Sequence, residues 1–250
     1  MRKKIIGVVL WGFQIMLLCS VLLPILMMLR QALPGDFHKV LIEDFWFYPK
    51  FWLSLGVAVT IGVGSVAVAL LAAFGMRVGR LKHKKAVLFL LLLLMLMPLQ
   101  VTLLPNYIGL RDLKLLDTFS ALVLPMIFSP FAIYLMYQYM ETVPYEGWEA
   151  ARLETSSVCR ILGWVIMPQM RACMAAVFVF MFAEGFNMVE QPLYFVKQEK
   201  RKTLSVLIES LADGEKHLIY AVGIICTIPL LLLYGFFKEE LIEGMGYLQP

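Results

Sequence analysis

Ala86-Val87-Leu88-Phe89-Leu90-Leu91-Leu92-Leu93-Leu94-Met95-Leu96-Met97 is a run of twelve residues whose side chains carry no heteroatom other than the methionine sulfur. Such a run cannot form an amphipathic surface element, because it has no polar face to offer water. A bilayer core takes about 20 apolar residues as a helix, and the run extends to Pro105 before polar residues accumulate. Working outward, five more stretches of comparable length have this character. The six spans are expected at residues 5–29, 51–76, 86–105, 119–140, 172–196 and 217–237. The chain has 250 residues, 61% hydrophobic and 16% charged, against about a quarter charged in a soluble domain. Its mean hydropathy is +0.80. These features predict an all-α polytopic membrane protein with about six transmembrane helices, because only helices and closed barrels satisfy every backbone polar group in lipid.

The opening Met1-Arg2-Lys3-Lys4 and its apolar run could be mistaken for a secretion signal. The run is too long for a signal core and no small-x-small cleavage site follows, so it reads as a retained first span. Arg2, Lys3, Lys4, Arg77, Arg80, Lys82, Lys84 and Lys85 flank the first two segments on one side, against Arg30, Lys39 and Lys50 on the other. The early basic excess therefore puts both termini in the cytoplasm. Lys200-Arg201-Lys202 falls outside and runs against that rule. A net charge of +4, with basic residues scattered over loops, excludes a nucleic-acid surface. Cys19, Cys159, Cys173 and Cys226 form no Cys-x-x-Cys pair, and His38, His83 and His217 make no ligand spacing. In the first outside loop Pro34-Gly35-Asp36 reads as a turn, and Phe45-Trp46-Phe47-Tyr48 suits the membrane interface. Gly56, Gly62 and Gly64, with Ala58, Ser65, Ala67 and Ala69, make the second span a helix that lets others approach closely.

Between the fourth and fifth spans lies a polar segment, from Val143-Pro144 through Glu149-Ala150-Ala151-Arg152-Leu153-Glu154 to Val165-Ile166-Met167-Pro168. It reads as a short helix, a break and a second helix. Pro144 suits a first helical position, Thr142 and Glu146 suit the cap and first turn, and Glu149 adds negative charge toward the positive helix end. The spacing from Glu149 to Pro168 resembles the EAA loop of binding-protein-dependent ABC importer permeases, with Thr155 where that family usually has glycine. Three other stretches agree. Asn106-Tyr107-Ile108-Gly109-Leu110, then Leu116-Asp117-Thr118 leading to Ala121-Leu122-Val123-Leu124-Pro125, resembles a pattern of the carbohydrate-type, maltose-system subset. Phe186-Asn187 to Pro192-Leu193 resembles its Trp-Asn-x-x-x-x-Pro-Leu region, and Ile228-Pro229 to Gly244 its closing segment. The resemblance spans about residues 51–246. Asp117 or Thr118 can also cap the helix beginning near Phe119 without any functional role.

The resemblance implies a division into a first helix and external loop at 1–50 and a permease domain at 51–250, with the coupling loop at 141–171. It implies that Glu149, Ala150, Ala151, Thr155 and Pro168 form a cytoplasmic helix docked in an ATPase subunit. It also implies the partners: an ATPase dimer that binds ATP, a second, homologous permease, and an extracellular solute-binding protein. The setting is the bacterial inner membrane. No phosphate-binding Gly-x-x-x-x-Gly-Lys-Ser/Thr, His-Glu-x-x-His or Gly-x-Ser-x-Gly occurs, so the chain is expected to be no enzyme and to hold no cofactor of its own.

Polar groups within apolar spans are expensive and normally face a cavity or a partner. Glu184, Asn187 and Gln191 are spaced to share one helix stripe, with Glu190 near its outer end. Tyr134, Tyr137 and Gln138, with Gln100 and Thr102, could add aromatic faces and amides to a sugar pathway. The alternative is that Asn187 and Gln138 bond between helices. An acidic group on the pathway leaves a cationic solute such as a polyamine open beside a sugar. An ion-coupled secondary transporter would instead show paired broken helices in corresponding halves, which are not evident. A membrane scaffold is disfavoured by the Glu149–Pro168 pattern.

Overall fold

The structure, a computed structural model, describes residues 2–32, 34–43, 47–79, 83–212 and 216–246. Phe45, Trp46, Arg80 and Lys82 lie outside the described residues. Every regular element among the described residues is helical: α1 (Arg2–Gln31), α2 (Pro34–His38), α3 (Phe47–Val78), α4 (Lys84–Met95), α5 (Leu99–Asp112), α6 (Phe119–Ile127), α7 (Pro130–Thr142), α8 (Glu146–Glu154), α9 (Val158–Ile161), α10 (Met167–Asn187), α11 (Glu190–Phe195), α12 (Leu204–Ala212) and α13 (Lys216–Gly246). The expected turn at Pro34-Gly35-Asp36 is instead the start of α2, with proline at a first position where its missing N–H is harmless.

The chain divides into two compact units, Met1–Tyr48 with Leu207–Pro229, and Pro49–Val206 with Leu230–Pro250. In the smaller unit the α1 segment Trp11–Gln31 has a mean hydropathy of 2.3 and buries none of its residues. A helix this apolar and this bare needs lipid or a partner around it.

The core of the larger unit lies where α3, α7 and α10 meet. α3 contributes Val57, Ile61, Ala69, Leu70, Ala73 and Phe74, α7 contributes Ala132, Met136, Tyr137 and Met140, and α10 contributes Met170, Cys173, Val177 and Met181. The small residues of α3 do allow close approach. A Cβ on Gly62 would come within 2.7 Å of the Phe178 ring, and one on Gly64 within 2.7 Å of Ile127. On the facing helix, a Cβ on Gly185 would sit 2.9 Å from Ile61 and 3.3 Å from the Ala58 backbone. Packing of this kind replaces the hydrophobic effect as the attraction between helices in lipid.

Among the described residues four helices are long and apolar enough to cross a membrane as they stand: Trp11–Gln31, Phe47–Val78, Val158–Asn187 and Leu218–Ile242. Six spans result only if two bent pairs are each taken as one. The expected span at 86–105 is not a single helix. α4 ends at Met95, α5 begins at Leu99, and their axes differ by 100°. Pro98 sits extended at the start of α5 (φ −61°, ψ 144°); it lacks an N–H, and a proline ring disfavours the helical region for the residue before it. The span at 119–140 bends by 40° between α6 and α7, where Ser129 caps Ala132 N and Pro130 opens the new helix. The span at 172–196 is also interrupted. α10 stops at Asn187, Met188 is extended (φ −65°, ψ 135°), and α11 follows as a separate helix.

Candidate functional site

The segment expected to couple to an ATPase is built from a short helix that cannot stand alone. α8 has nine residues, below the ~12–15 an isolated helix needs in water. Its first turn carries Glu146 and Glu149, but Tyr145 precedes it without a side-chain cap. Pro144 and Thr142 lie before the helix rather than in its cap. Thr142 closes α7, donating its hydroxyl to Tyr139 O at 2.7 Å. What holds α8 is Trp148, its single buried residue, 4% exposed. The indole meets Phe74 of α3 edge to face at 5.1 Å, and Arg152 lies over it at 5.7 Å. Arg77, one turn further along α3, donates to Val143 O and covers the Tyr145 ring at 5.7 Å. Between these groups only about 10 Å³ is left empty. The end of α3 is thereby latched to α8.

With Trp148 inward, Glu149, Ala150 and Leu153 point outward, and Leu153 is 91% exposed. Ala151 is half-buried against the core and borders a cleft of about 300 Å³ that Glu154, Thr155, Arg160 and Trp164 also line. Ala151 is thus turned partly toward the body of the protein, and Leu153 is the sharper probe of the outer face.

Thr155 ends α8 with φ −147° and ψ 140°, its N–H bonded to Ala151 O at 3.0 Å. That is extended backbone open to any residue, so no glycine is required for this turn. Ser157 then caps α9, accepting from Arg160 N. A π-turn at Leu162–Ile166 joins α9 to α10, and Pro168 stands at the first turn of α10. A widened turn ahead of a proline is a recurrent way to absorb its missing N–H. The Gln169 side chain donates to Val165 O at 2.7 Å, supplying one bond to the carbonyls there.

A second feature is a cavity of about 670 Å³ bordered by α4, α5, α6, α7 and α10. Its walls are mostly leucine, methionine and proline; its polar side chains are Glu184, Thr102, Asn106 and Ser129. Glu184 is the one ionisable residue in that lining. The bend at Pro98 lets α5 form one wall, so the break that spoils the straight span creates the recess. The sequence offers Asn106 only as part of a motif and not as a pathway residue, because the 100° turn that brings it to this cavity is a tertiary feature.

The remaining polar residues lie elsewhere. Asn187, the last residue of α10, donates to Ala183 O at 3.0 Å and is absent from the lining. Gln191 is buried on α11, donating to Met126 Sδ at 3.4 Å, so Glu184, Asn187 and Gln191 form no continuous stripe. Gln100 donates to Glu190 Oε1 at 3.0 Å. Gln138 donates to the Tyr134 hydroxyl at 2.7 Å. Tyr137 is buried at the end of α7, its hydroxyl donating to Glu141 at 2.8 Å. Glu141 also pairs with Lys84 at 3.0 Å, and Lys84 lies 4.7 Å above the Tyr137 ring. Tyr137 thus ties α4 to α7 near α8.

The Asp117-Thr118 pair divides its work. Thr118 is the cap of α6, accepting from Ala121 N at 3.3 Å. Asp117, at φ 61°, instead accepts from the amides of Lys197 (2.5 Å) and Gln198 (3.2 Å) across eighty residues of sequence, while its own N–H bonds Phe195 O at 3.0 Å.

Comparison with known proteins agrees with this architecture. The chain is 26% identical over 221 residues to the sn-glycerol-3-phosphate transport system permease protein UgpE of Brucella abortus (strain 2308), covering 86% of this chain and 78% of that one. It is 28% identical over 198 residues to the lactose transport system permease protein LacG of Rhizobium radiobacter, covering 78% and 72%. A bacterial ABC transporter involved in the import of the acidic polysaccharide alginate has a chain of the same fold, with a TM-score of 0.81 at 18% identity over 95% of this chain and 97% of that one. Residues 64–241 match the family of binding-protein-dependent transport system inner membrane components, and the chain belongs to that family.

Proposed function

We propose that this chain is one permease subunit of an ATP-driven importer that carries a carbohydrate or similar small solute into the cell. The observation that carries the reading is α8: a short helix latched to α3 by Trp148, with Glu149, Ala150 and Leu153 presented outward. An ATPase subunit, which binds the ATP, docks on that outer face. Movement of the docked helix passes through Trp148 and Arg77 into α3. A second, homologous permease closes the pathway, and an extracellular solute-binding protein delivers the solute. In this arrangement α8 and both termini are cytoplasmic. Relatives named for lactose and glycerol 3-phosphate support a small hydroxyl-rich solute.

A cysteine at Leu153 is expected to crosslink to an ATPase subunit in membranes of cells expressing the whole complex, and a cysteine at buried Trp148 is not. Equal crosslinking at the two positions, or none at Leu153, would overturn the docking geometry.

Solute passes along the cavity that Glu184 lines. An ionised carboxylate facing acyl chains costs roughly 2.5–3.5 kcal/mol on insertion scales, so a cavity role relieves that cost. Glu184→Leu should cut initial uptake at least tenfold, for whichever labelled saccharide of a test panel the wild-type complex accumulates, with assembly unchanged. Glu184→Gln, which keeps an acceptor, should fall between. Wild-type uptake by the leucine variant would remove Glu184 from the pathway.

A further inference from the structure

The cavity of about 670 Å³ between α4, α5, α6, α7 and α10 carries one charge and no counter-charge on its lining. Glu184 is exposed there and makes no hydrogen bond or ion pair among the described residues. Its carboxylate is therefore open to a ligand. Glu190 differs, since its Oε1 accepts from Gln100 and its Oε2 is sealed from solvent. Asn106 is half-buried on the same lining, and its amide is likewise without a partner among the described residues. Two hydroxyls each keep one function spare. Thr102 Oγ1 donates to Leu99 O at 2.9 Å and can still accept, and Ser129 Oγ accepts from Ala132 N at 3.3 Å and can still donate. The remaining walls are mostly apolar.

An amide and two hydroxyls suit the hydroxyl groups of a saccharide. The carboxylate asks for more. A sugar hydroxyl can donate to it but leaves its charge unbalanced within a membrane span, where charges normally pair. A primary ammonium neutralises it and offers three donors. A phosphate or a uronate is repelled. The apolar walls sharpen the choice, because a cleft with one sign of charge and low-dielectric walls concentrates ions of the opposite sign by about 10- to 1,000-fold. We propose that the solute is an amino sugar, a saccharide with a free protonated amine, its ammonium on Glu184 and its hydroxyls on Asn106, Thr102 and Ser129. This inference rests on the cavity being the solute pathway and adds its charge selectivity: cations are admitted and anions refused.

The test uses the assembled complex in nanodiscs with Gly109→Cys as reporter. Gly109 lines the same cavity, and a Cβ there meets nothing within 4 Å, so the proposed solute contacts stay intact. Labelling at that position by the trimethylammonium and sulfonate ethyl methanethiosulfonates is followed by mass spectrometry, each rate divided by its rate on free cysteine. The cationic reagent should react at least tenfold faster than the anionic one. Glu184→Gln should bring that ratio below about threefold. Glucosamine, with its amine protonated, should slow the cationic reagent at least threefold, and glucose and glucuronate at the same concentration should not. Leu99→Cys, also on the lining, is the second reporter if the first fails to assemble. A ratio near one, or a ratio that Glu184→Gln leaves unmoved, overturns the charge selectivity while leaving the cavity as a pathway. Equal protection by the three sugars, or none, overturns the amino-sugar assignment. If neither reagent reaches either cysteine, the pathway reading falls and this inference with it.

Discussion

Trp148→Ala is expected to free α8 from the body of the protein while leaving the membrane helices assembled. Trp148 is the only buried residue of that helix, and its indole is packed on Phe74 with almost no void around it. Truncating a buried tryptophan to alanine typically costs 3–5 kcal/mol. α8 is too short to hold its hydrogen bonds without that contact. Hydrogen exchange at the amides of Glu146–Glu154 should therefore accelerate by at least a hundredfold, since 1.4 kcal/mol is a factor of ten in the opening equilibrium. Exchange across the core of α3 and α10 should change little. In the reconstituted importer the same variant should hydrolyse ATP without moving solute, because the contact linking the proposed docking helix to α3 is gone. Trp148→Phe, which retains an aromatic against Phe74, should keep most of the coupling. Unchanged exchange in α8 after Trp148→Ala would show that the helix is held by something other than this anchor.

Asp117→Ala should release the segment that follows α11. The carboxylate accepts from the Lys197 and Gln198 amides on one exposed oxygen, counted together as a single charge-assisted contact of roughly 1.5 kcal/mol. Asp117 also stands at φ 61°, a left-handed conformation that aspartate and asparagine tolerate and alanine resists by about 1–2 kcal/mol. Together these point to a local loss of about 3 kcal/mol, a factor near 100 in the open population. The segment contains Lys197, Lys200, Arg201 and Lys202, all sites for trypsin. Tryptic nicking there should rise about 100-fold in Asp117→Ala, because cleavage tracks the open population when closing is fast. Asp117→Asn keeps both an acceptor and the tolerance for positive φ, so its increase should stay within about tenfold. Equal nicking of the two variants would show that backbone and carboxylate do not act together. The neighbouring Glu199 adds a smaller tie: the Lys202 hydrogen bond holds its carboxyl below the usual range, and Lys50 adds attraction. That contribution is present above the ordinary carboxylate pKa and is lost as pH falls through the lowered value, so nicking should rise modestly in acid.

The Asp117 clamp shows why this part of the fold was only partly legible. Sequence reasoning offered Asp117 or Thr118 as the cap of the next helix, and Thr118 does that local work. The partners of Asp117 lie eighty residues away, and no local pattern specifies them. Trp148 and Leu153 were passed over for a related reason. A short polar helix has an inside only once something packs on it, so Glu149, Ala150 and Ala151 looked equivalent until Trp148 chose the inner face. Ala151 then fell on the body side and Leu153 on the outer side. At Thr155, where the family usually has glycine, the backbone is extended and makes no demand for one.

Composition and apolar run length alone determined that this is a helical membrane protein, because lipid leaves backbone polar groups no other way to be satisfied. The Glu149 to Pro168 spacing, with three agreeing stretches, pointed to the family, which the match over residues 64–241 bears out. What only the tertiary structure decided is where the apolar runs break and what the breaks create. Pro98, Pro130 and the extended Met188 turn three expected straight spans into bent or interrupted ones. The turn at Pro98 swings α5 into a wall and gathers Thr102, Asn106 and Glu184 around one cavity. Hydropathy sums residues along a line and carries no direction, whereas a proline sets an angle whose consequence depends on which helix stands opposite.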